Sequence, residues 1–179
     1  PSSAASDVYK RQAGIAAHEV LCYDTYPDVV DQSTGRLLAP EGYGLILLGG
    51  QIVSIPVWYY EVAAGETPVY PAYNSSGVWF VHRETGTPIP GTYLTWSDLN
   101  SGKDMFIVEL FTDSDGRYVL IVYGIGWRGT FAAALYFDKQ MWPDIQHHYY
   151  SWYIVSWTDN GNGRVDEPGA DTYTVVAHG

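Results

Sequence analysis

The sequence contains only one cysteine, few basic residues and no long uninterrupted apolar run. Because Cys22 has no second cysteine to pair with, no internal disulfide can form. The longest apolar stretch, 43–60, is broken by Gly49-Gly50 and Pro56 and is too short to cross a bilayer, which argues against membrane insertion. Nine Lys and Arg against 20 Asp and Glu give a formal net charge of −11, which repels phosphate backbones and anionic lipids. We therefore expect no nucleic-acid partner and no membrane insertion.

Aromatic residues, glycine and proline are abundant, and they determine the predicted fold class. The chain has 16 Tyr and 7 Trp, and its 19 Gly and 10 Pro fall mostly between apolar runs. This pattern is typical of many strands separated by turns, and 179 residues suit one domain. The prediction is an all-β fold: a single antiparallel β-sandwich or jelly roll of about eight to ten strands, with at most one short helix.

The stretch 104–123 is predicted to be the central hairpin of this fold. Two apolar runs, 105–111 and 118–123, flank Asp113-Ser114-Asp115-Gly116, whose Asp-Gly pair favours a tight turn. The β-branched and aromatic residues of both runs favour strand over helix. Since neither run alternates between polar and apolar residues, we expect both faces of this hairpin to be covered. Glu109 interrupts the first run.

Further strands and one helix are predicted from the remaining apolar patterns. The predicted strands are 43–48, 51–62, 78–83, 129–137, 147–157 and 171–177. Gly49-Gly50 would join the first two as a hairpin turn. The strand at 129–137 rests on an alternation of apolar residues. The one predicted helix is 138–146, where Pro143 suits a first helical position.

The N-terminus divides into two segments. Residues 2–12, SSAASDVYKRQ, resemble the in-frame translation of a sequencing-library adapter, so we expect 1–12 to be a non-native tail and the true start to lie upstream. Residues 13–26 are predicted to be an N-terminal strand. The small apolar residues 13–17 fit the end of a secretory signal peptide equally well. The β-sandwich domain would then occupy 27–179.

The turn after the aromatic strand is the strongest candidate metal site. Its sequence, DNGNGRVDE at 159–167, resembles the first part of a D-x-[DN]-x-[DN]-G calcium loop, in which oxygens at alternate positions surround a hard cation. The spacing departs from that pattern, because aligning Gly163 with its glycine puts the first Asp one place late, and the terminal Glu is missing. An ordinary Asn/Gly turn is the alternative. The predicted calcium ligands are Asp159, Asn160, Asn162, Asp166 and Asp171.

Other polar motifs offer further candidate sites. Asp113 and Asp115 form a second candidate calcium pair, although D-x-D-G is also ordinary turn chemistry. If both acidic turns lay near one rim, they could share an ion within or between subunits. His147 and His148 should point to opposite faces of a strand, so no zinc site is predicted. The triplet at 74–76 fits an N-glycosylation acceptor with Asn74 as the modified residue.

Two glutamates among aromatic residues suggest an enzyme as one alternative. Glu61 and Glu109 are placed as jelly-roll glycosidases place their catalytic carboxylates, and IPVWYYEV around Glu61 resembles an aromatic strand of small jelly-roll xylanases. The Thr-Glu-Gly context of the second glutamate in those enzymes is missing here. A buried, hydrogen-bonded structural role is the competing interpretation. A carbohydrate-binding module with structural calcium is another alternative, if exposed Trp and Tyr form a sugar-stacking platform rather than core.

The overall character of 13–179 resembles the tube-forming cannula proteins of hyperthermophilic archaea. The shared features are the acidic, aromatic-rich, nearly cysteine-free composition and the Asp/Asn/Gly turns, with the tail SWTDNGNGRVDEPGADTYTVVAHG at 156–179 the most similar part. The resemblance implies a structural protein, not an enzyme: a secreted β-sandwich that polymerises with itself and calcium into extracellular tubes at the cell surface. An N-terminal strand would complete the neighbouring subunit's sheet. Its expected residues are Ile15, His18, Val20 and Cys22, in a segment ending near Tyr23 or Asp24.

Overall fold

Two β-sheets and three α-helices make up the residues that the computed structural model describes, which are 29–39, 41–147 and 150–179. Among these residues the strands are β1 (Gly44–Leu48), β2 (Val69–Tyr73), β3 (Gly77–His82), β4 (Leu94–Thr95), β5 (Lys103–Thr112), β6 (Tyr118–Gly124), β7 (Trp152–Thr158) and β8 (Thr172–His178). The helices are α1 (Ile55–Trp58), α2 (Trp96–Asn100) and α3 (Trp127–Tyr136). Short π-helical turns, Tyr59–Ala63 and Phe137–Met141, extend α1 and α3, and a 3₁₀ segment, Trp142–His147, follows. The chain is β-rich, as predicted.

Several predictions fall outside the described residues. They concern the tail 1–12, the expected donor strand 13–26 and His148. The donor-strand positions among them are Ile15, His18, Val20 and Cys22.

The central hairpin is confirmed. β5 is the middle strand of a five-stranded sheet of order β1-β6-β5-β7-β8, and it pairs antiparallel with both neighbours. Residues 113–117 connect it to β6. At the edge of this sheet, β1 runs parallel to β6, with Gly44 opposite Tyr118. β2, β3 and β4 form a separate antiparallel sheet. The prediction of a purely antiparallel architecture is therefore wrong at β1.

The predicted strand at 129–137 is instead helix α3, so the prediction of at most one short helix is wrong. The apolar residues alternate in sequence, but three of them are consecutive alanines at 132–134, which favour helix. Asp104, at the start of β5, accepts hydrogen bonds from the backbone N–H groups of Gly126 (3.1 Å) and Gly129 (2.8 Å). A carboxylate here stabilises the N-terminus of α3. Because Asp104 lies far from α3 in the sequence, no local pattern predicts this contact.

The predicted strand at 51–62 is also helical. Pro56 lies in the first turn of α1, where its fixed φ and missing N–H are tolerated. Gly49-Gly50 therefore leads from a strand into a helix and closes no hairpin. The helix predicted at 138–146 is confirmed only in part: a π-helical turn continues α3 to Met141, and the 3₁₀ segment after it has a non-helical backbone at Asp144. The aromatic strand expected at 147–157 begins only at Trp152.

The five-stranded sheet carries a core on each face. One core contains residues of both sheets and of α1, including Ile107, Phe80 and Val57. The other lies beneath α3 and includes Phe106 and Ala133. Because β5 contributes Ile107 to one core and Phe106 to the other, it is covered on both faces, as its continuous apolar run predicted.

The contact between α3 and β6 requires glycine. A methyl group added at Gly124 would lie 2.1 Å from the carbonyl carbon of Gly129, whereas one added at Gly44 would meet nothing within 4 Å. We expect Gly124→Ala to lower the free energy of unfolding by roughly 1–3 kcal/mol through overpacking. Gly44→Ala, the matched control, should change it by less than about 0.5 kcal/mol. Urea denaturation measures both, and equal effects would contradict this packing.

Candidate functional site

The outer edge of β1 differs from the sheet edges at β2 and β8. β2 contains Pro71, which cannot donate to a ladder, and β8 has a bulge opposite Ile154 and Val155. Such features normally keep sheet edges from pairing with other chains. β1, with the sequence GLILL, has no proline or charge, and its register with β6 is continuous. No described residue pairs with its outer edge. This edge is a template for an additional strand.

An exposed apolar surface begins where β1 ends. We define the apolar ridge as Ile52, Val53, Ile55, Trp58 and Val62, all of which are exposed. Ile52 and Val53 are 90% and 78% exposed. A methyl group added at Gly49, directly after β1, would lie 3.1 Å from the Val53 side chain, so the ridge adjoins the strand. Contiguous exposed apolar side chains commonly mark an interaction surface.

Beneath the ridge, the two glutamates singled out in the sequence lie in the interior. Glu61 is 2% exposed, in the π-helical turn after α1, and Glu109 is 0% exposed, in the middle of β5. The Tyr123 hydroxyl donates a hydrogen bond to Glu61 Oε1. Glu61 Oε2 and both carboxylate oxygens of Glu109 have no hydrogen-bond partner among the described residues.

The environment of this pair favours the protonated form. Burial raises the pKa of Glu61 to about 7, although the hydrogen bond from Tyr123 and the charge of Arg83 act in the opposite direction. Burial and the neighbouring Glu61 carboxylate raise the pKa of Glu109 well above its ordinary value. Two charged carboxylates in an apolar core repel each other and lose hydration, so at least one proton is retained near neutral pH.

This arrangement does not suit glycosidase catalysis. A glycosidase needs both carboxylates to reach a sugar ring and a water molecule, whereas neither Glu61 nor Glu109 is accessible to solvent. Sequence reasoning found the two glutamates but missed Tyr123 and Arg83. No local sequence pattern marks these two residues, because only the fold brings them close to the glutamates.

The second candidate calcium pair is engaged by arginine. Asp113 accepts hydrogen bonds from Tyr60 (2.6 Å) and from the Arg117 guanidinium (3.0 Å). Asp115 contacts both Arg117 (2.7 Å) and Arg36 (3.0 Å). Burial alone would raise the pKa of Asp113, but the hydrogen bonds from Tyr60 and Arg117 outweigh it and lower that pKa. These carboxylates therefore already have cationic partners.

The two acidic turns lie at opposite ends of the large sheet. The 113–117 connection follows the last residue of β5, whereas the 159–171 loop follows Thr158, which pairs with Lys103 at the start of β5. A ten-residue strand is roughly 33 Å long. The two turns are therefore not near one rim, and they are too far apart to share an ion within one subunit.

The 159–171 loop does bring its predicted ligands together. Asp159 accepts hydrogen bonds from the backbone N–H groups of residues 161, 162 and 163, at 2.9, 3.1 and 2.9 Å. Asp171 accepts hydrogen bonds from the Trp157 indole (2.9 Å) and from the backbone of Asn160 (3.0 Å) and Asp166 (2.8 Å). The Asn162 amide donates to Asp166 at 2.6 Å.

These contacts define what the loop can do with a cation. Among the described residues, no group of three or more His, Cys, Asp or Glu side chains is arranged to hold a metal ion. The carboxylates of Asp159 and Asp171 organise the loop through backbone N–H groups, which supports the interpretation as a structured turn. Asp171 is buried and both of its carboxylate oxygens accept hydrogen bonds, so a cation at this loop would depend on the more exposed carboxylates of Asp159 and Asp166.

The remaining candidates lie at the surface of the small sheet. Asn74 is exposed in the turn between β2 and β3, and its Oδ1 accepts hydrogen bonds from the backbone of Ser76 and Gly77. Glycosylation of Asn74 stays a prediction. Nearby, Trp79 stacks against the exposed Tyr93 with ring centroids 6.2 Å apart. This pair is a candidate surface aromatic platform.

Comparison with known proteins identifies no relative. No protein-family model, curated protein or solved structure matches the chain. Within the described residues, no helix is long and apolar enough to span a membrane.

The Asp113–Arg117 pair should contribute to stability in a pH-dependent way. Because the folded-state pKa of Asp113 is lowered, its contribution is present above the ordinary value of 3.8 and is lost as the pH falls through the folded-state pKa. At neutral pH, Asp113→Asn should cost roughly 3 kcal/mol, since it leaves buried Arg117 short of a charge partner. Asp115→Asn, in the same turn but more exposed, should cost clearly less. Urea denaturation at neutral and acidic pH checks this, and equal losses would contradict it.

Proposed function

We propose that this chain is a structural subunit of an extracellular filament or tube, and that subunits join by adding a strand to β1 of a neighbour. The observation that carries the proposal is the outer edge of β1, with which none of the described residues pairs. Strand addition satisfies the free N–H and C=O groups of such an edge, and alternate side chains supply specificity. On this proposal the two sheets act as a sandwich that the added strand extends.

The donor would be the segment 13–26. Along an extended chain, His18, Val20 and Cys22 project to one side, so Val20 and Cys22 would face the acceptor surface. The described chain resumes at Val29, and a methyl group added at Gly35 would lie 2.9 Å from the Ile55 side chain. Residues 29–39 therefore pack beside α1.

The apolar ridge supports an assembly in a second way. Its side chains point away from the core, while Tyr60 and Glu61 of the same helical segment point into it. Covering this ridge with a neighbouring subunit would remove apolar surface from water at about 25 cal/mol per Å². Backbone pairing at β1 and apolar contact at the ridge would then act on one continuous surface.

The proposal includes calcium because the subunits are strongly negatively charged. A polymer of subunits that each carry −11 must overcome mutual repulsion. Asp159, Asn160, Asn162 and Asp166 bring oxygen atoms together in one surface loop, which buried Asp171 organises. This arrangement supports calcium binding between the loop and carboxylates of a neighbour. The Asp113 turn contributes less to the proposal, because arginine occupies its carboxylates.

A carbohydrate-binding module is the second candidate function. The stacked pair of Trp79 and the exposed Tyr93 favours it, because sugar rings bind to exposed aromatic faces. This function predicts that a monomer is retained on a polysaccharide and that Tyr93→Ala abolishes the retention. A glycosidase using Glu61 and Glu109 is less well supported, since both carboxylates are buried.

A charge placed on the β1 edge should block assembly. Ile46 on β1 and Val175 on β8 are β-branched residues of edge strands with nearly equal exposure, 39% and 40%. We expect Ile46→Lys to prevent concentration-dependent filaments, because a lysine on the acceptor strand disfavours strand addition. Val175→Lys should leave assembly intact. Negative-stain microscopy and sedimentation velocity measure both.

The outcomes separate the candidate functions. Filaments of the Ile46→Lys variant in normal yield would overturn the role of β1. A native chain that stays monomeric at all concentrations, with or without calcium, would overturn the structural function and favour the sugar-binding one.

Removal of calcium tests the loop separately. We expect chelator, or the double substitution Asp159→Ala and Asp166→Ala, to reduce polymer yield at least about tenfold while the monomer stays folded, because the subunits then repel each other unopposed. Glu84→Ala, which removes an exposed carboxylate elsewhere, is the control. Pelleting with circular dichroism of the supernatant measures yield and folding. Unchanged yield after both treatments would exclude calcium from the assembly.

A further inference from the structure

The two Asn-Gly sequences of the chain lie side by side in the 159–171 loop. Asn160 precedes Gly161 and Asn162 precedes Gly163, whereas the chain's other two asparagines precede serine. In an Asn-Gly pair the glycine nitrogen can attack the side-chain amide carbon of the asparagine, because a residue without a side chain leaves the approach open. This reaction converts asparagine to aspartate or isoaspartate. The local sequence makes the two pairs alike, so a difference in their reactivity must come from the fold.

The attacking nitrogen is held in the same way in both pairs. The backbone N–H groups of Gly161 and Gly163 each donate to the carboxylate of Asp159, both at 2.9 Å. Both glycines have a positive φ, 99° and 76°, which residues with side chains rarely adopt. Both asparagines are exposed, so water reaches each of them. Backbone conformation and solvent access therefore do not distinguish the two pairs.

The two side-chain amides are held differently. Asn162 donates through Nδ2 to the Asp166 carboxylate at 2.6 Å, and its Oδ1 accepts from the backbone N–H of Arg164 at 2.8 Å. Asn160 Nδ2 lies 3.4 Å from the Ala170 carbonyl and 3.5 Å from Asp166. Its Oδ1 accepts from the backbone of Asn162 at 3.1 Å. Short bonds to a charged group are the strong ones, and bonds near 3.5 Å are weak. Asn162 is therefore fixed at both ends of its amide, whereas Asn160 can turn its amide carbon toward the next backbone nitrogen.

We propose that Asn160-Gly161 is a self-modification site of the folded chain, at which Asn160 becomes aspartate or isoaspartate while Asn162 stays an amide. The Gly161 nitrogen gives up its proton to solvent and forms a bond to Asn160 Cγ. The Cγ–Nδ2 bond then breaks, and Nδ2 leaves as ammonia with protons taken from water. Water next adds to either carbonyl of the resulting cyclic imide and opens it. Water is the only co-reactant, and nothing is oxidised or reduced. This inference concerns the monomer and stands whether or not the chain assembles or binds calcium.

The modification changes the charge and the contacts of the loop. A carboxylate replaces the Asn160 amide group that faces Asp166 at 3.5 Å, so a donor and an acceptor become two anions that repel each other. The aspartate product keeps the hydrogen bond from the backbone N–H of residue 160 to Asp171, at 3.0 Å, which limits the change to the tip of the loop. The isoaspartate product also lengthens the backbone by one carbon atom. The loop therefore gains negative charge with time after folding.

The first experiment compares the two sites in the native full chain. The protein is incubated at pH 8 with chelator, and mass spectrometry of its peptides, with fragmentation, locates the gain of one dalton. Conversion of Asn160 should be at least about tenfold faster than that of Asn162, because the short bond to Asp166 fixes the second amide. In urea the two rates should become similar, since both pairs are then unfolded Asn-Gly sequences. Equal rates in the folded chain, or a difference that persists in urea, would overturn the proposal.

The second experiment removes the protection of Asn162. Asp166→Ala deletes the acceptor at 2.6 Å, so conversion of Asn162 should rise toward its rate in urea, while conversion of Asn160 changes little. Glu167→Ala, which removes an exposed carboxylate of the same loop, is the matched control and should leave both rates unchanged. Circular dichroism checks that the variants are folded, and Asp166→Leu replaces the alanine variant if that one is not. A folded variant without the acceptor in which Asn162 reacts no faster would overturn the protection.

Discussion

The coverage of β5 on both faces is the constraint on which the rest of this structure depends. A strand with Ile107 on one face and Phe106 on the other needs a layer of structure on each side. The small sheet and α1 supply one layer, and α3 supplies the other. Asp104, at the start of the same strand, also caps α3, so β5 determines both the packing and the position of that helix.

The same strand places a carboxylate where an apolar residue would be expected. Glu109 lies on the face of β5 that α1 and the small sheet cover, and the fold brings a second glutamate to it from the helical segment. That segment is apolar on its outer side, and on its inner side it buries Val57 and Tyr60 beside Glu61. Its attachment rests on the core packing of Val57 and Tyr60, and its outer surface is the apolar ridge next to β1. One short helical segment therefore carries both the buried Glu61 and the exposed apolar ridge.

The parts of the fold that were predictable depend on local sequence. The hairpin of β5 and β6 was predictable because its strands, its turn and its apolar runs are consecutive in the chain. Helix α3 was not, because its alternating apolar residues imitate a strand and its capping carboxylate is Asp104, on another element. The parallel pairing of β1 with β6 was equally hidden, since Gly49-Gly50 looks like a hairpin turn and Pro56 begins a helix instead.

Some residues of the candidate site were predictable from the sequence, and others were not. Glu109 stood out because it interrupts an apolar run, and the loop ligands from Asp159 to Asp171 stood out by composition. Their partners did not: Tyr123 is one of 16 tyrosines, and the arginines that engage Asp113 and Asp115 lie elsewhere in the sequence. A carboxylate-rich turn predicts either a cation site or a salt bridge, and only the fold distinguishes the two.

The central claim, that 13–26 of one subunit pairs with β1 of another, is tested most directly through the chain's own Cys22. A second cysteine is introduced at successive β1 positions, beginning with Ile46→Cys, and the assembled protein is oxidised. The account predicts a ladder of disulfide-linked multimers on a non-reducing gel at one or more β1 positions and none for Val175→Cys on β8. Monomers linked only within themselves, or no linkage at any β1 position, would contradict it.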